Sequence, residues 1–164
     1  AAQALLEGHH RDIGVIELDP NDGEAAPGRR VGCRTYLEQA GIPWSTVHVA
    51  VGHGTARDGY AAASRLLTDH PWLTGLVCGN DCMAMGAYAA IREQGLRVRE
   101  DVAVIGIDDQ ELIADQVHPA LTTVALPFEE MGQVAVSHLL ALMEGEEVPA
   151  ETLLPGTIIR RSSA

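Results

Sequence analysis

DVAVIGIDD, residues 101–109, is the stretch that decides the fold class of this chain. Residues 102–107 are continuously apolar, which is typical of a strand covered on both faces of its sheet, because a half-exposed strand alternates polar and apolar residues. Sheets of this kind are mostly parallel and are flanked by helices. The two aspartates that follow should therefore lie at the carboxyl edge of such a sheet.

The chain on both sides of this strand alternates between short apolar segments and longer helical segments. Such alternation predicts βαβ crossovers and a mostly parallel α/β sheet. The predicted strands are residues 13–18, 46–51, 75–78, 102–107, 121–126 and 152–160, and the predicted helices are residues 2–6, 29–40, 56–69, 83–93 and 128–143.

Three further features of these elements can be tested against a structure. Residues 19–28, rich in glycine, proline and acidic residues, are predicted to form a loop or crossover. The first long helix should bury Val31 and the Tyr36–Leu37 pair and end at Gly41. The later helices should face a core with the following side chains: Ala62, Leu66, Leu67, Met131, Val134, Ala135, Leu139 and Leu142.

The charge of the chain argues against direct contact with nucleic acid. The net charge is −12, and every basic residue is an arginine. An acidic surface repels phosphate backbones, so DNA contact would need a separate basic module. The three cysteines, with no repeated spacing, fit a reducing, cytoplasmic setting as small buried side chains. No apolar run is long enough to span a membrane.

Polar residues gather where three of the predicted strands end. They are residues 52–55, residues 79–81 and residues 108–109. Ligands of open α/β sheets bind beyond the carboxyl ends of the strands. Carboxylate and amide oxygens there suit a hydroxyl-rich ligand, and Arg29 could supply a forked donor.

Each of these polar residues also has a purely structural interpretation. Asp81 stands where a helix N-cap is expected, and Asp109 could cap the turn that follows it. Asn80 suits a turn, and Arg29 taken alone is a surface charge. Asp108 directly follows the buried strand, which favours a ligand role.

Catalytic motifs are weak in this sequence. The histidines lack the helical spacing of a metal pair, and no nucleophile elbow of the G-x-S-x-G kind is present. The segment of residues 52–54 lacks the third glycine of a dinucleotide loop. The sequence therefore favours a binding protein over an enzyme, without cofactor or metal.

Several motifs together resemble the sensor domain of the lac/gal repressor family of bacterial transcriptional regulators. The resemblance covers essentially the whole chain. Its motifs are GNDCMAMG at 79–86, EQGLRV at 93–98, DVAVIGIDD at 101–109, PALTTV at 119–124, EMG at 130–132 with LL at 139–140, and RRSS at 160–163.

This resemblance implies a two-lobed, type I periplasmic-binding-protein-like fold with a partial N-terminal lobe. Residues 1–26 and 127–146 would be the remnant of that lobe. Residues 27–126 and 147–164 would form the C-terminal lobe, and the helix-turn-helix DNA-binding domain would lie outside this chain. The family's effector-binding residues match Arg29, Asn80 and Asp108. Its stacking aromatic falls near Gly54, where this sequence has no ring.

The function implied is that of the effector-binding and dimerisation part of a cytoplasmic transcriptional repressor. Its partners would be a sugar or related small-molecule effector, a second copy of the chain, and operator DNA through the missing domain only; no membrane is involved. Two alternatives remain open. One is a periplasmic sugar-binding protein of a transport system, and the other is a small-molecule enzyme on a doubly wound sheet.

Overall fold

The computed structural model describes residues 1–23 and 25–164 and contains one six-stranded sheet. The strand order is β2-β1-β3-β4-β5-β6, and neighbouring strands are parallel except for the antiparallel pair β5–β6. The strands are β1 (Ile13–Leu18), β2 (His48–Gly52), β3 (Gly75–Cys78), β4 (Ala103–Asp108), β5 (Thr122–Ala125) and β6 (Thr157–Ile159). The α/β, mostly parallel fold class predicted from the sequence is confirmed.

Five helices accompany the strands within the described residues. They are α1 (Ala2–Glu7), α2 (Ala25–Gln39), α3 (Ala56–Asp69), α4 (Asp81–Glu93) and α5 (Phe128–Met143), with a 3-10 turn at Trp44–Thr46. None of them is long and apolar enough to cross a membrane.

The central strands are buried on both faces, as the apolar run of β4 predicts. Leu76 pairs in register with Val104, and both side chains join the core formed with α3 and α4. Val77 pairs with Ile105, and this pair joins the opposite core, formed with α1 and α2. Successive strand residues point to opposite faces, so one continuous apolar run supplies both cores.

Most predicted elements lie where the sequence places them. The predicted bounds of β1, α3, β3 and α5 match the structure, and Gly41 has the positive φ of a helix-terminating glycine. Helix α2 starts at Ala25, inside the predicted loop of residues 19–28; within that loop Glu24 lies outside the described residues. Of the three residues of this helix that were predicted to be buried, Leu37 is fully buried, whereas Val31 is 62% exposed and Tyr36 is also exposed.

The sheet corrects one part of the predicted division into lobes. Residues 1–26 were expected in a different lobe from residues 27–126, but β1 is hydrogen-bonded between β2 and β3. Leu5 of α1 is fully buried in the core on the same sheet. A strand in the middle of a sheet cannot belong to another lobe, so residues 1–18 belong with the residues that follow them.

Helix α5 departs from its predicted packing. No residue of α5 is buried, although Met131, Leu139 and Leu142 were expected to face a core, together with Val134 and Ala135. The apolar periodicity of this helix predicted a buried face, but no core within the described part of the chain buries that face.

Helices α3 and α4 pack against each other at two glycines. A Cβ added to Gly59 would lie 2.1 Å from the backbone oxygen of Met83, and one added to Gly86 would lie 1.9 Å from the backbone oxygen of Ala56. Real Cβ atoms do not approach backbone so closely, so this contact requires glycine on both helices.

Gly86→Ala is expected to destabilise the protein by about 1–3 kcal/mol, although alanine is the better helix former, because the helices must move apart. Gly132→Ala in α5, where a Cβ meets nothing within 4 Å, is the matched control and should stabilise by about 1 kcal/mol. Urea denaturation of both variants measures the difference. A stabilising Gly86→Ala would contradict the close contact.

Candidate functional site

The polar strand ends meet at the carboxyl edge of the sheet, beside its topological switch point. From β1 the chain crosses to β2 on one side and returns to β3 on the other side, so the ends of β1 and β3 are neighbours. The end of β4 lies next to that of β3. Open α/β sheets bind their ligands at such an edge.

Arg29 and Asp108 are in direct contact at this edge. Arg29 is the fifth residue of α2, and its Nη2 atom lies 2.8 Å from Oδ1 of Asp108. Its Nη1 atom donates to the backbone oxygen of Gly79, just beyond β3. The side chains are 22% and 15% exposed, so the pair is partly buried yet reachable. Gln110 also donates, more weakly, to Asp108 at 3.4 Å.

Asn80, the third predicted binding residue, lies beside this pair and is the N-cap of α4. Its Oδ1 accepts from the backbone N–H of Met83 at 2.8 Å, and its Nδ2 donates to the backbone oxygen of Gly54 at 2.9 Å. Asn80 thus ties the β2–α3 loop to α4. The structural interpretation that made Asp81 the cap is wrong, because Asp81 is already the first residue of the helix.

Asp81 is instead a fully buried carboxylate beneath the site. Its Oδ1 accepts from the Thr123 hydroxyl at 2.6 Å, and its Oδ2 accepts from the backbone N–H of Gln110 at 2.8 Å. Burial raises the pKa of Asp81, and these hydrogen bonds only partly oppose that effect. Asp81 therefore fixes the segment that directly follows Asp108, the last residue of β4.

The backbone turns sharply at the two aspartates. Asp108 has φ +115° and Asp109 has φ +55°, both in the region that L-residues rarely adopt. Such conformations cost on the order of 1–3 kcal/mol each and cluster at functional sites.

Asp109 is committed to an ion pair away from the Arg29 contact. Arg161 lies 2.8 Å from Asp109 and 2.5 Å from Asp115, and it also donates to the backbone oxygen of Leu121. The Asp109 carboxylate thus pairs with the Arg161 guanidinium, whereas the sequence suggested that it could cap the turn. Arg161 follows the last strand and stands in the RRSS motif at 160–163, but that motif did not indicate that it lies at this edge.

The loop after β2 completes the edge with a helix cap and an ion pair. Thr55 is the N-cap of α3 and accepts from the backbone N–H of Asp58. His53 lies 2.9 Å from Asp22, and this hydrogen bond raises the pKa of the exposed imidazole. Gly54 has φ +78°, and a Cβ there would lie 3.3 Å from Nδ2 of Asn80, so a side chain at this position would be strained and would crowd Asn80.

A cavity of about 630 Å³ extends from Arg29 beneath α2. Glu17 lines it, and burial raises the pKa of this carboxyl while the nearby Arg30 partly opposes the shift. Cys33 also lines the cavity, and burial raises its pKa to about 11. All three cysteines are free thiols, and Cys78 is the fully buried one, as predicted for a small apolar side chain. Nothing in the sequence motifs marked Glu17.

Metal binding finds no support in the residues that the structure describes. Among residues 1–23 and 25–164, no three histidine, cysteine, aspartate or glutamate side chains cluster so that they could hold an ion.

The fold and this edge define a class of protein that comparison with known sequences identifies. Residues 2–164 match the family described as periplasmic binding protein-like domain, and the chain belongs to that family. Over 168 aligned residues it is 38% identical to the HTH-type transcriptional repressor PurR of Yersinia pestis bv. Antiqua (strain Antiqua), covering 100% of this chain and 48% of the relative.

Solved structures give the same result at the level of the fold. The Lac repressor bound to ONPG in its repressed state superposes with a TM-score of 0.91 at 31% identity, over 99% of this chain and 48% of that one. The transcriptional regulator CelR in complex with cellobiose superposes with a TM-score of 0.92 at 34% identity, over 100% and 50%. The resemblance to the lac/gal repressor family is confirmed, and these relatives are repressors and regulators rather than enzymes. The chain spans about half of their length.

Asp81→Asn is expected to destabilise the protein by about 1–3 kcal/mol. The two oxygens of Asp81 accept from the Thr123 hydroxyl and the Gln110 backbone N–H, and the amide NH2 group of asparagine cannot accept from one of these donors. Since the pKa of Asp81 is raised, the folded state holds this proton more tightly than the unfolded state, and wild-type stability falls as pH rises above the ordinary value of 3.8. The difference in free energy of unfolding between wild type and Asp81→Asn, measured by urea denaturation, should therefore become smaller from about pH 4 to about pH 7.

Asp101→Asn is the control of opposite sign. Hydrogen bonds from Arg97 lower the pKa of Asp101, so the stability from this pair is present above the ordinary pKa and is lost as pH falls. Its deficit should stay nearly constant between about pH 4 and about pH 7 and should shrink only below about pH 4. A deficit that failed to narrow for Asp81→Asn between about pH 4 and about pH 7 would contradict the assignment of a buried carboxylate whose pKa burial raises.

Proposed function

We propose that this chain is the effector-binding part of a bacterial transcriptional repressor that responds to a sugar or a related small molecule. The contact between Arg29 and Asp108 at the carboxyl edge carries this proposal. A guanidinium and a carboxylate held together present fixed donors and acceptors to vicinal hydroxyl groups. The cellobiose complex of the related CelR supports a carbohydrate effector.

The proposed binding mode gives Arg29, Asn80 and Asp108 different tasks. Arg29 and Asp108 would exchange part of their mutual contact for hydrogen bonds to ligand hydroxyls. The Oδ1 atom of Asn80 already accepts in the cap of α4, and one of its side-chain N–H groups already donates to Gly54. Asn80 would therefore donate its remaining N–H to the ligand and keep the β2–α3 loop in place. Three polar groups on one rigid edge supply the orientation that a small hydroxyl-rich ligand needs.

We further propose that residues 127–146, which contain α5, belong to a second lobe that closes over this edge. The exposed apolar side chains of α5 support this, because an amphipathic helix of a globular protein buries its apolar face. The chain covers only about half of its relatives, so residues outside it could provide that cover.

The proposed mechanism is a population shift between two arrangements of the lobes. An effector that contacts both lobes favours one arrangement only by its differential affinity, and a nearly complete switch needs roughly 5.5 kcal/mol of preference. A homodimer would relay the change to paired DNA-binding domains outside this chain. The net charge of −12 supports assigning operator contact to such a separate domain. Three free thiols support a cytoplasmic location.

Arg29→Ala in the full-length protein is expected to abolish the response to effector while operator affinity without effector stays unchanged, because the residue touches only the ligand edge. Arg34→Ala is the matched control, since Arg34 lies on the same helix and pairs only with Glu38 at the surface. Operator binding, measured by fluorescence anisotropy against a sugar panel, reports both properties. A normal response in Arg29→Ala would refute the site.

A further inference from the structure

The cavity beneath α2 differs in chemistry from the polar edge that it adjoins. Its volume of about 630 Å³ lies within the range of small-molecule sites. Valine and isoleucine side chains of the sheet form its floor, among them Val15, Val77 and Ile107. A hydroxyl-rich ligand held at the edge would leave this apolar space empty.

Two glycines of the neighbouring helix border this space. Gly28 and Gly32 are one turn apart on α2 and both line the cavity. A Cβ added to either one would meet nothing within 4 Å. Residues four apart lie on the same face of a helix, so this face of α2 leaves a gap above the sheet.

Glu17 points to a ligand in this cavity. It is only 5% exposed, and its Oε2 accepts from Arg30 at 3.1 Å. Its Oε1 is buried and has no hydrogen-bond partner within the described ranges 1–23 and 25–164. A buried acceptor left without a donor is unfavourable, and a bound molecule that donates to it would remove that penalty.

The ion pairs beside the cavity favour a ligand whose hydrogen-bond donor is uncharged. Arg30 already balances Glu17, and Arg29 balances Asp108. A ligand ammonium group would add an unbalanced positive charge beside two guanidinium groups, and a ligand carboxylate would meet the Glu17 carboxylate. A hydroxyl group donates to Oε1 without adding charge.

We propose that the cavity beneath α2 binds a neutral molecule that has an apolar body and a hydroxyl group, with Glu17 accepting from that hydroxyl. The proposal goes beyond the effector site: Arg29 borders the cavity, but the proposed hydrogen bond is to Glu17, and the space for the apolar body lies beside Gly28 and Gly32. The ligand would occupy the apolar space with its body and place its donor at Oε1 of Glu17.

Calorimetric titration of the full-length protein with benzyl alcohol, benzyl methyl ether and benzylamine tests this chemistry. The three probes share one apolar body, and the ether cannot donate a hydrogen bond. Benzyl alcohol should bind about 10-fold or more tightly than the ether, since hydrogen bonds to charged groups are among the stronger ones. Equal binding of alcohol and ether, tighter binding of the amine, or no binding of the alcohol would each overturn the proposal.

Two kinds of variant locate the binding. Glu17→Leu should weaken alcohol binding about 10-fold, whereas Glu17→Gln keeps an acceptor and should lose less. Gly32→Leu should abolish binding by filling the cavity, and it improves helix propensity, so folding should survive. Glu38→Gln, an exposed change on the same helix, is the control and should bind as wild type does.

Alcohol binding that persists in both Glu17→Leu and Gly32→Leu would overturn the location. The sugar response of operator binding, measured on the same preparations, tests the proposed function separately. Loss of alcohol binding in Glu17→Leu with the sugar response retained supports a distinct site.

Discussion

The Arg29 guanidinium holds the functional edge of this molecule together. It bonds to the end of β3 through Gly79 and to the end of β4 through Asp108, so it fastens α2 across two neighbouring strands. Arg30, paired with Glu17 of β1, and the fully buried Leu37 also hold α2 on the sheet. The Arg29 ion pair therefore contributes both to the position of the start of α2 and to the polar character of the edge.

Below that pair, a second set of polar contacts fixes the strand ends. Asp81 accepts from Thr123 on β5 and from the backbone after β4, and Asn80 joins the start of α4 to the β2–α3 loop. These bonds link segments far apart in the sequence. They explain how two aspartates with unfavourable backbone angles keep one conformation at the surface.

The sequence predicted the fold more completely than the site because the two depend on different ranges of interaction. The apolar run of β4 and the helix-ending glycines act locally, so α3, β3 and α5 could be placed correctly. The pairing of β1 between β2 and β3 is a long-range property, and the sequence division into lobes missed it. Asn80 and Asp108 were predicted as binding residues from their position at strand ends, Arg29 from its position at the start of a helix, and all three from family resemblance. Glu17 carries no motif, and the motif that contains Arg161 indicated no partner for it, so only their partners in space, Arg30 and Asp109, reveal them.

The positive φ angles of Asp108 and Asp109 have an evolutionary consequence. Glycine would fit this backbone with less strain at either position, so selection for stability alone would favour it. A carboxylate at each position instead provides a partner for an arginine from a distant part of the chain. If Asp108 binds effector as proposed, related proteins that have lost ligand recognition should be free to drift toward glycine at position 108, whereas Asp109 should be retained for its structural ion pair with Arg161.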